Sequence, residues 1–507
     1  MTRRWAAVVL AGLVTAACRE APPPPPGTIV LGTPNSPTSL DPGIGLDEAS
    51  QRIHQLLFDS LLKIDDHLRI VPDLAVRFES ADSQTWIAEI PPGVRFHDGR
   101  EMTAADVVYT YRRFLDPAFV SGRKGAYRDL AAVDAVDRYT TAFRLTAPSA
   151  AFPANLVMMG IVPEGSAATV AQAPIGSGPY RFIEMVRDDH VTLSAFDDYH
   201  LGPPANRGIV IKVVPDETMR GLELRKGDVD LVVNDLSPDL VHELSEEPAL
   251  SVVTGPGTDY GYIGLNLRDP LLADVRVRHA IGYAVNHADI VRYLRRGLAR
   301  QTPGLLPDMS WAFAEDAFRF TYDPARAQAL LEAAGFPDPD GAGPAPRIRL
   351  TLKTSTSEAY RLQAAVLQAQ FAEAGIALDL RSFEFATLFA DIIRGNVQLY
   401  TLIYVGVADP DILRRVFHST QVPPSGFNRG HYRNPEVDRL LDLATSSLDE
   451  ADRRRAYIEA QRLIAQDAPA IPLYARTNVA VAQADLTGIV LSPIGDLAFL
   501  RQVARTR

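Results

Sequence analysis

Short apolar strands alternate with capped helices over several hundred residues, and this alternation constrains the chain more than any other feature. It specifies layered α/β structure and excludes a β-sandwich or a helical bundle. Strands are expected at 209–214, 260–267, 348–353 and 397–405, where β-branched and aromatic residues gather. Thr103 caps a helix in which Asp106 suits the positive first turn and Val107, Val108, Tyr111, Phe114 and Leu115 form an apolar face. Asp323-Pro324 opens another, with Leu330 and Leu331 inward and Gly335 as its stop. Asn434-Pro435 repeats the device before Val437, Leu440 and Leu441. A polar-faced helix over 450–466 then ends at Pro469. At 507 residues the chain is long enough for about three domains.

Composition removes several function classes. The single cysteine, Cys18, excludes an internal disulfide, a thiolate zinc site and an iron–sulfur centre. With 51 basic against 62 acidic side chains, the net charge of −11 lacks the basic footprint of a nucleic-acid binder. Arg3 and Arg4 precede an apolar run over 5–14 that is too short to span a membrane, and Thr15-Ala16-Ala17 leads to Cys18. The arrangement resembles a bacterial lipoprotein signal. It implies a signal peptide over 1–17, a lipidated Cys18 at the new N-terminus, and a membrane anchor. Residues 18–27 then include five consecutive prolines at 22–26, a semi-rigid spacer. Ordinary secretion with an idle thiol is the alternative.

No catalytic constellation stands out. The ten histidines are scattered and form no H-E-x-x-H pair. Gly176-Ser177-Gly178 has Ile175 where a nucleophile elbow needs glycine, and Pro179 and Arg181 interrupt a dinucleotide pattern. Asp338-Pro339-Asp340-Gly341 lacks calcium-loop spacing and reads as a solvated turn. His97-Asp98-Gly99 reads as a hairpin turn after Val94 and Phe96. His418 and His431 are too few for a nickel site. The residues point to binding, with no enzyme activity, no cofactor and no metal.

Five ordered blocks carry a resemblance. They are Leu40-Asp41-Pro42; Trp86 with Pro92-Gly93-Val94-Arg95-Phe96-His97-Asp98-Gly99 and Met102-Thr103-Ala104-Ala105-Asp106-Val107; Gly176-Ser177-Gly178-Pro179-Tyr180; Asp274-Val275-Arg276-Val277-Arg278-His279-Ala280; and Asn428-Arg429 with Tyr432-Arg433-Asn434-Pro435-Glu436-Val437-Asp438. Spread over 28–507, the chain resembles the bacterial extracellular solute-binding proteins of family 5, the peptide- and nickel-type receptors of ABC importers. The resemblance implies an α/β, periplasmic binding protein-like fold (type II, cluster C): two lobes joined by a two-strand hinge, plus an inserted α/β domain. Lobe I would take 28–52, 174–258 and 482–507, the insert 53–173 and lobe II 259–481, with hinge strands at 260–266 and 473–481. It further implies a monomeric periplasmic receptor that hands a peptide or peptide-like solute to permease subunits, without nucleic acid. A nickel complex, an oligosaccharide or another small solute is the alternative ligand, and a peptide sensor without transport the alternative role.

Candidate ligand contacts follow from the same resemblance. Peptide-binding relatives carry an aspartate that pairs with the peptide α-ammonium. Setting Asp409-Pro410 on the family's acidic–proline pair puts Gly406 at that position, and Ile403 or Tyr404 where a tryptophan is common. A buried ammonium without a carboxylate is costly. Asp409 either supplies the missing charge or caps a helix ahead of Pro410. Asn35, Pro37 and Thr38 line the first lobe's rim or form turns. Tyr260 and Tyr262 stack on ligand or pack in the core. Asn428 and Arg429 offer a guanidinium either to a ligand carboxylate or to a structural ion pair.

Overall fold

The computed structural model describes residues 25–506 except 342 and 425. The signal-like segment, Cys18 and most of the proline run lie outside the described residues. In chain order the principal strands are β1 (Thr28–Thr33), β2 (Tyr180–Val186), β3 (His190–Ala195), β4 (Gly208–Val213), β5 (Leu231–Val233), β6 (Leu250–Leu265), β7 (Ile348–Ser355), β8 (Ile376–Phe383), β9 (Leu399–Tyr404) and β10 (Ala470–Gln483). They form one sheet in the order β8-β7-β9-β6-β10-β5-β1-β4-β3-β2, with Ala299–Arg300 added beside β10. Three expected strands occur as β4, β7 and β9. The fourth, at 260–267, is only the second half of β6. Its first half is hidden by Gly255-Pro256-Gly257, residues that ordinarily argue against a strand.

The helices that matter below are α1 (Glu48–Leu57), α2 (Ala104–Arg112), α3 (Val275–Tyr283), α4 (Pro324–Ala333), α5 (Glu358–Glu373), α6 (Ile412–Phe417), α7 (Pro435–Ser446) and α8 (Glu450–Asp467). Asp323 caps α4 by accepting from the Arg326 N–H, and Asn434 caps α7 in the same way toward Glu436 and Val437. The Thr103 helix is shorter than its apolar spacing predicts. α2 ends at Arg112, and Arg113–Leu115 tighten into a 3₁₀ turn. That turn lets Arg113 grip the buried Asp41 with both guanidinium nitrogens, tying the Leu40-Asp41-Pro42 block to the segment after α2.

Residues 61–161 enclose a core of their own around Trp86, Phe96, Tyr111, Phe143 and Leu156. It packs on a separate four-stranded sheet, Arg77–Ser80, Thr85–Glu89, Thr140–Leu145 and Leu130–Ala135. The chain enters and leaves this unit at one neck. There the Gly178 N–H donates to the Leu57 carbonyl at 2.9 Å, and a Cβ on Gly176 would lie 1.8 Å from that same oxygen. The His97 turn is locked onto the neck. Its Nδ1 accepts from the Gly176 N–H at 3.2 Å, which leaves Nε2 to donate to the Gly178 carbonyl at 3.0 Å.

Both ring nitrogens of His97 are thus assigned in the neutral form, and burial holds its pKa down to about 4; burial does the same at His54, also about 4. A folded-state pKa below the free value of 6.5 favours folding above pH 6.5, and this contribution is lost as pH falls toward 4. His97→Asn is expected to cost on the order of 1–2 kcal/mol at pH 7 and to flatten the pH dependence of stability. Thermal melts at pH 7 and pH 4.5 check this, and a pH slope equal to the parent's would remove His97 from the role.

Candidate functional site

The two halves of the sheet meet where β6 and β10 run antiparallel through the middle of the molecule. Pairing proceeds from Leu250↔Gln483 to Pro256↔Thr477, shifts, and resumes from Tyr260↔Ala475 to Gly264↔Ala470. On one side of the shift β10 pairs with β5 through Ala480, Val481 and Ala482. On the other, β6 pairs with β9 from Tyr260 to Leu265. Pro256 cannot donate to a ladder, and a Cβ on Gly257 would sit 2.3 Å from the Arg476 carbonyl oxygen. Gly255-Pro256-Gly257 therefore interrupts the ladder, and residues 257–259 are left without cross-strand partners at the crossing.

Asp259 occupies this gap. Its Oδ1 accepts from the Gly406 N–H at 2.9 Å, and its Oδ2 lies 3.5 Å from Nη1 of Arg476. Arg476 also donates through Nη2 to the Asn234 carbonyl at 3.0 Å, reaching the end of β5. Asn234 has a left-handed backbone, φ 61°, and its side chain bonds Asn478 and the Val479 N–H. Next to it, Arg52 from α1 reaches Asp235 at 2.7 Å and Glu48 at 2.5 Å. Burial works against the Arg52 charge, but Asp235 and Glu48 outweigh it and hold its pKa up. From the start of α5, Tyr360 joins the same region. Burial, with Tyr474 and Asp259 nearby, pushes its hydroxyl up to about 12. Gly406 itself has φ +64° and is exposed beside Val405, which is 71% exposed. A Cβ built on it would meet no atom within 4 Å.

The expected site residues divide into separate places. Tyr260, Tyr262 and Tyr404 form a stack, with ring centroids 5.6 Å and then 5.0 Å apart and planes within about 11°. Arg429 closes it: Nη1 donates to the Tyr262 hydroxyl at 3.1 Å, and the guanidinium faces the rings of Phe389, Tyr404 and Phe427. Tyr260 and Tyr262 are each 3% exposed and sit in the core under α6, α7 and α8. Among the described residues no carboxylate pairs with Arg429, so aromatic faces take the place of the expected ion pair. Asn428 is buried, and its amide holds the carbonyls of His418 and Tyr432 while its oxygen accepts from the Tyr432 N–H. Its hydrogen-bonding capacity is spent on the loop.

Asp409 also serves its own chain. Its Oδ1 accepts from the Asp411 N–H at 2.8 Å and its carbonyl from the Ile412 N–H, the geometry of a turn leading into α6. On the opposite side, Thr38 bonds Asp47 and Ser50 at the start of α1, Pro37 is buried, and Asn35 is exposed. Asp259, Arg476 and Asn234 escape a reading of the sequence. The only local signal is the Gly-Pro-Gly run just before the carboxylate. No group of three His, Cys, Asp or Glu side chains among the described residues is placed to hold a metal, and no described helix is long and apolar enough to cross a membrane.

Residues 69–422 match the family described as bacterial extracellular solute-binding proteins, family 5 Middle. The chain is similar to the oligopeptide-binding protein AppA of Bacillus subtilis, 29% identical over 494 residues, which cover 93% of this chain and 90% of that protein. It is similar to the glutathione-binding protein GsiB of Pectobacterium atrosepticum, 28% identical over 509 residues, covering 97% and 96%. Among solved structures, Bacillus subtilis AppA in complex with a nonapeptide superposes with a TM-score of 0.78 at 27% identity, covering 95% of this chain and 99% of that one. The substrate-binding protein CtaP of Listeria monocytogenes, at 24% identity, reaches a TM-score of 0.85 over 95% and 99% of the two chains. The two-lobed α/β architecture of these proteins is the architecture of this chain.

Burial, and then the nearby Asp409, pushes Asp411 up to about 6 from 3.8. A folded-state pKa above the unfolded one means that ionising Asp411 opposes folding above about pH 6, a cost absent below about pH 4. Asp411→Asn keeps an acceptor for the Thr445 hydroxyl, which donates at 3.0 Å. It is expected to stabilise the protein at pH 7.5 by at most about 3 kcal/mol and to change nothing at pH 3.5. Denaturant unfolding at the two pH values checks this.

Proposed function

Because the chain belongs to the bacterial extracellular solute-binding proteins of family 5, we propose that it is the receptor of an ABC importer, capturing a peptide or peptide-like solute outside the inner membrane and delivering it to the permease. The observation that carries this reading is the likeness to oligopeptide-binding AppA across nearly the whole of both chains. No bond is made or broken in such a role. An open form takes up ligand, closure buries it, and affinity depends on the open–closed energy gap as well as on contacts.

In this reading lobe I comprises 28–52, 174–258 and 482–507, the insert 53–173 and lobe II 259–481, with the pivot at the interrupted ladder between β6 and β10. Contacts that cross between these parts are those that closure would form. Arg296 pairs with Asp239 at 2.6 Å, Arg69 with Glu450 at 3.0 Å, and the Ala150 N–H donates to the Thr445 carbonyl at 3.0 Å. The two ion pairs are exposed and therefore individually weak, which suits a reversible closure. Lipidation at Cys18 would hold the receptor at the membrane behind its proline spacer. A second reading, the same receptor with a non-peptide solute, is favoured by one observation: glycine rather than an acid at position 406.

Mass spectrometry of gently purified protein decides between them. A retained dipeptide or oligopeptide is expected. A sugar, metal chelate or other small solute would overturn the peptide reading and leave the family untouched. Cys18→Ser is expected to release the protein from membrane fractions with ligand binding unchanged, and persistent membrane association of that variant would rule out the anchor.

A further inference from the structure

We propose that a cavity beside the neck of the inserted unit binds one free α-amino acid with a small aliphatic side chain, Arg501 taking its carboxylate and Asp496 its ammonium. The site is separate from the crossing of β6 and β10 and does not depend on the peptide reading above. The cavity measures about 160 Å³. It is bounded by the end of α1, by Lys63, Asp73 and Met158 of the inserted unit, and by the segment 494–501 that follows β10. His54 and Phe58 face it from α1, on the side of that helix turned away from Arg52.

Two charges of opposite sign face this space without meeting. Among the described residues the Arg501 guanidinium makes no hydrogen bond and no ion pair, although it borders the cavity. Asp496 accepts from the Ala498 N–H at 3.1 Å, and no described cation pairs with it. Burial pushes its carboxyl up from the ordinary 3.8 despite that bond. The other charges on the wall are already engaged. Lys63 lies 3.1 Å from Asp73, and Asp59 takes the Tyr199 hydroxyl on Oδ1 at 2.9 Å. Oδ2 of Asp59, on a side chain only 6% exposed, faces Nε2 of His200 at 3.2 Å but receives no hydrogen bond. It leaves one buried acceptor free at the floor of the cavity.

A ligand that completes these groups must carry both signs. An anion alone would leave Asp496 unmatched, and a cation alone would leave Arg501 so. A guanidinium takes a carboxylate in a two-bond fork, and an ammonium spreads three donors over acceptors such as Asp496 and Oδ2 of Asp59. Size sets the rest: a cavity of about 150 Å³ admits a six-carbon ring, the scale of one amino acid rather than of a peptide. The remaining wall is apolar, with Phe58, Val157, Met158 and Leu201, and suits an aliphatic side chain. That wall is also fixed in place. A Cβ on Gly160 would lie 2.5 Å from the Phe58 Cβ, so the two segments are in close contact. Met158 is held in a left-handed backbone, φ 57°, a strain that gathers at binding sites.

The test titrates the full-length protein by calorimetry with L-alanine, L-valine and L-leucine, then with the N-acetyl and amide forms of whichever binds most tightly. One equivalent of the free amino acid is expected to bind, and either cap is expected to weaken it by about tenfold or more. Arg501→Gln and Asp496→Asn are each expected to weaken it by about as much. Leu201→Trp, at a position 52% exposed and therefore tolerant, is expected to fill the cavity and block binding while the protein stays folded. Absence of binding by all three amino acids up to about 10 mM overturns the site. Equal binding of the capped forms overturns the dipolar ligand. Binding that survives in Leu201→Trp places the amino acid elsewhere and overturns the assignment to this cavity, even where the charge variants are unstable.

Discussion

Two long antiparallel strands, β6 and β10, hold this molecule together, and the rest of the structure is arranged around their pairing. Each runs through both halves of the sheet, and each is hydrogen-bonded to the other on both sides of the crossing. Breaking either ladder would leave buried N–H and C=O groups unpaired, so the halves resist deformation on both sides. Between them the ladder is interrupted by a proline with no donor and a glycine pressed against the Arg476 backbone. Stiffness on both sides with a gap between is the mechanical definition of a hinge. The polar groups gathered in that gap are Asp259, Arg476 and Asn234.

The buried charges divide according to how they are neutralised. Arg52 is compensated by two carboxylates, and its pKa stays high despite burial. Arg429 has no acid beside it among the described residues. Its charge faces three aromatic rings and one phenol. Such a guanidinium keeps its plane fixed without requiring a carboxylate to be buried with it, which makes the tyrosine stack a rigid wall. The acids before α6 show the reverse: burial raises both carboxylates of this dry turn, Asp409 raises Asp411 further, and local N–H and hydroxyl donors with nearby arginines only partly offset it.

What could be read from the sequence is what local chemistry determines. Asp323-Pro324 and Asn434-Pro435 open helices because capping and proline geometry act within one turn. The motif blocks identify the family because they are staples. Arg278, for instance, donates to the carbonyls of Leu272, Ala273 and Asp467 and pins α3 to the end of α8. Asp106 likewise gathers Thr103, Arg100 and the Glu164 N–H. The site was less legible for two physical reasons. An aromatic–arginine constellation such as Tyr260, Tyr262 and Arg429 has the same composition in a core as in a pocket, and only packing separates them. The pair Asp259 and Gly406 is 147 residues apart, and its strand is disguised by glycine and proline.

The neck of the inserted unit has a consequence for how the chain is made. Residues 61–161 close their own core, and the chain enters and leaves at Leu57 and Gly178, in hydrogen-bonding contact. That unit can therefore collapse as soon as its own residues have been synthesised, with little loop entropy lost to the remainder. The core beside it is different. It joins Ile29 and Leu31 to Ile209 and Ile211, and is completed by Ala480, Leu497 and Val503. Its pieces are therefore separated by most of the described residues. A core assembled from segments so far apart in sequence closes later than the inserted unit, because long loops must be closed before its contacts can form.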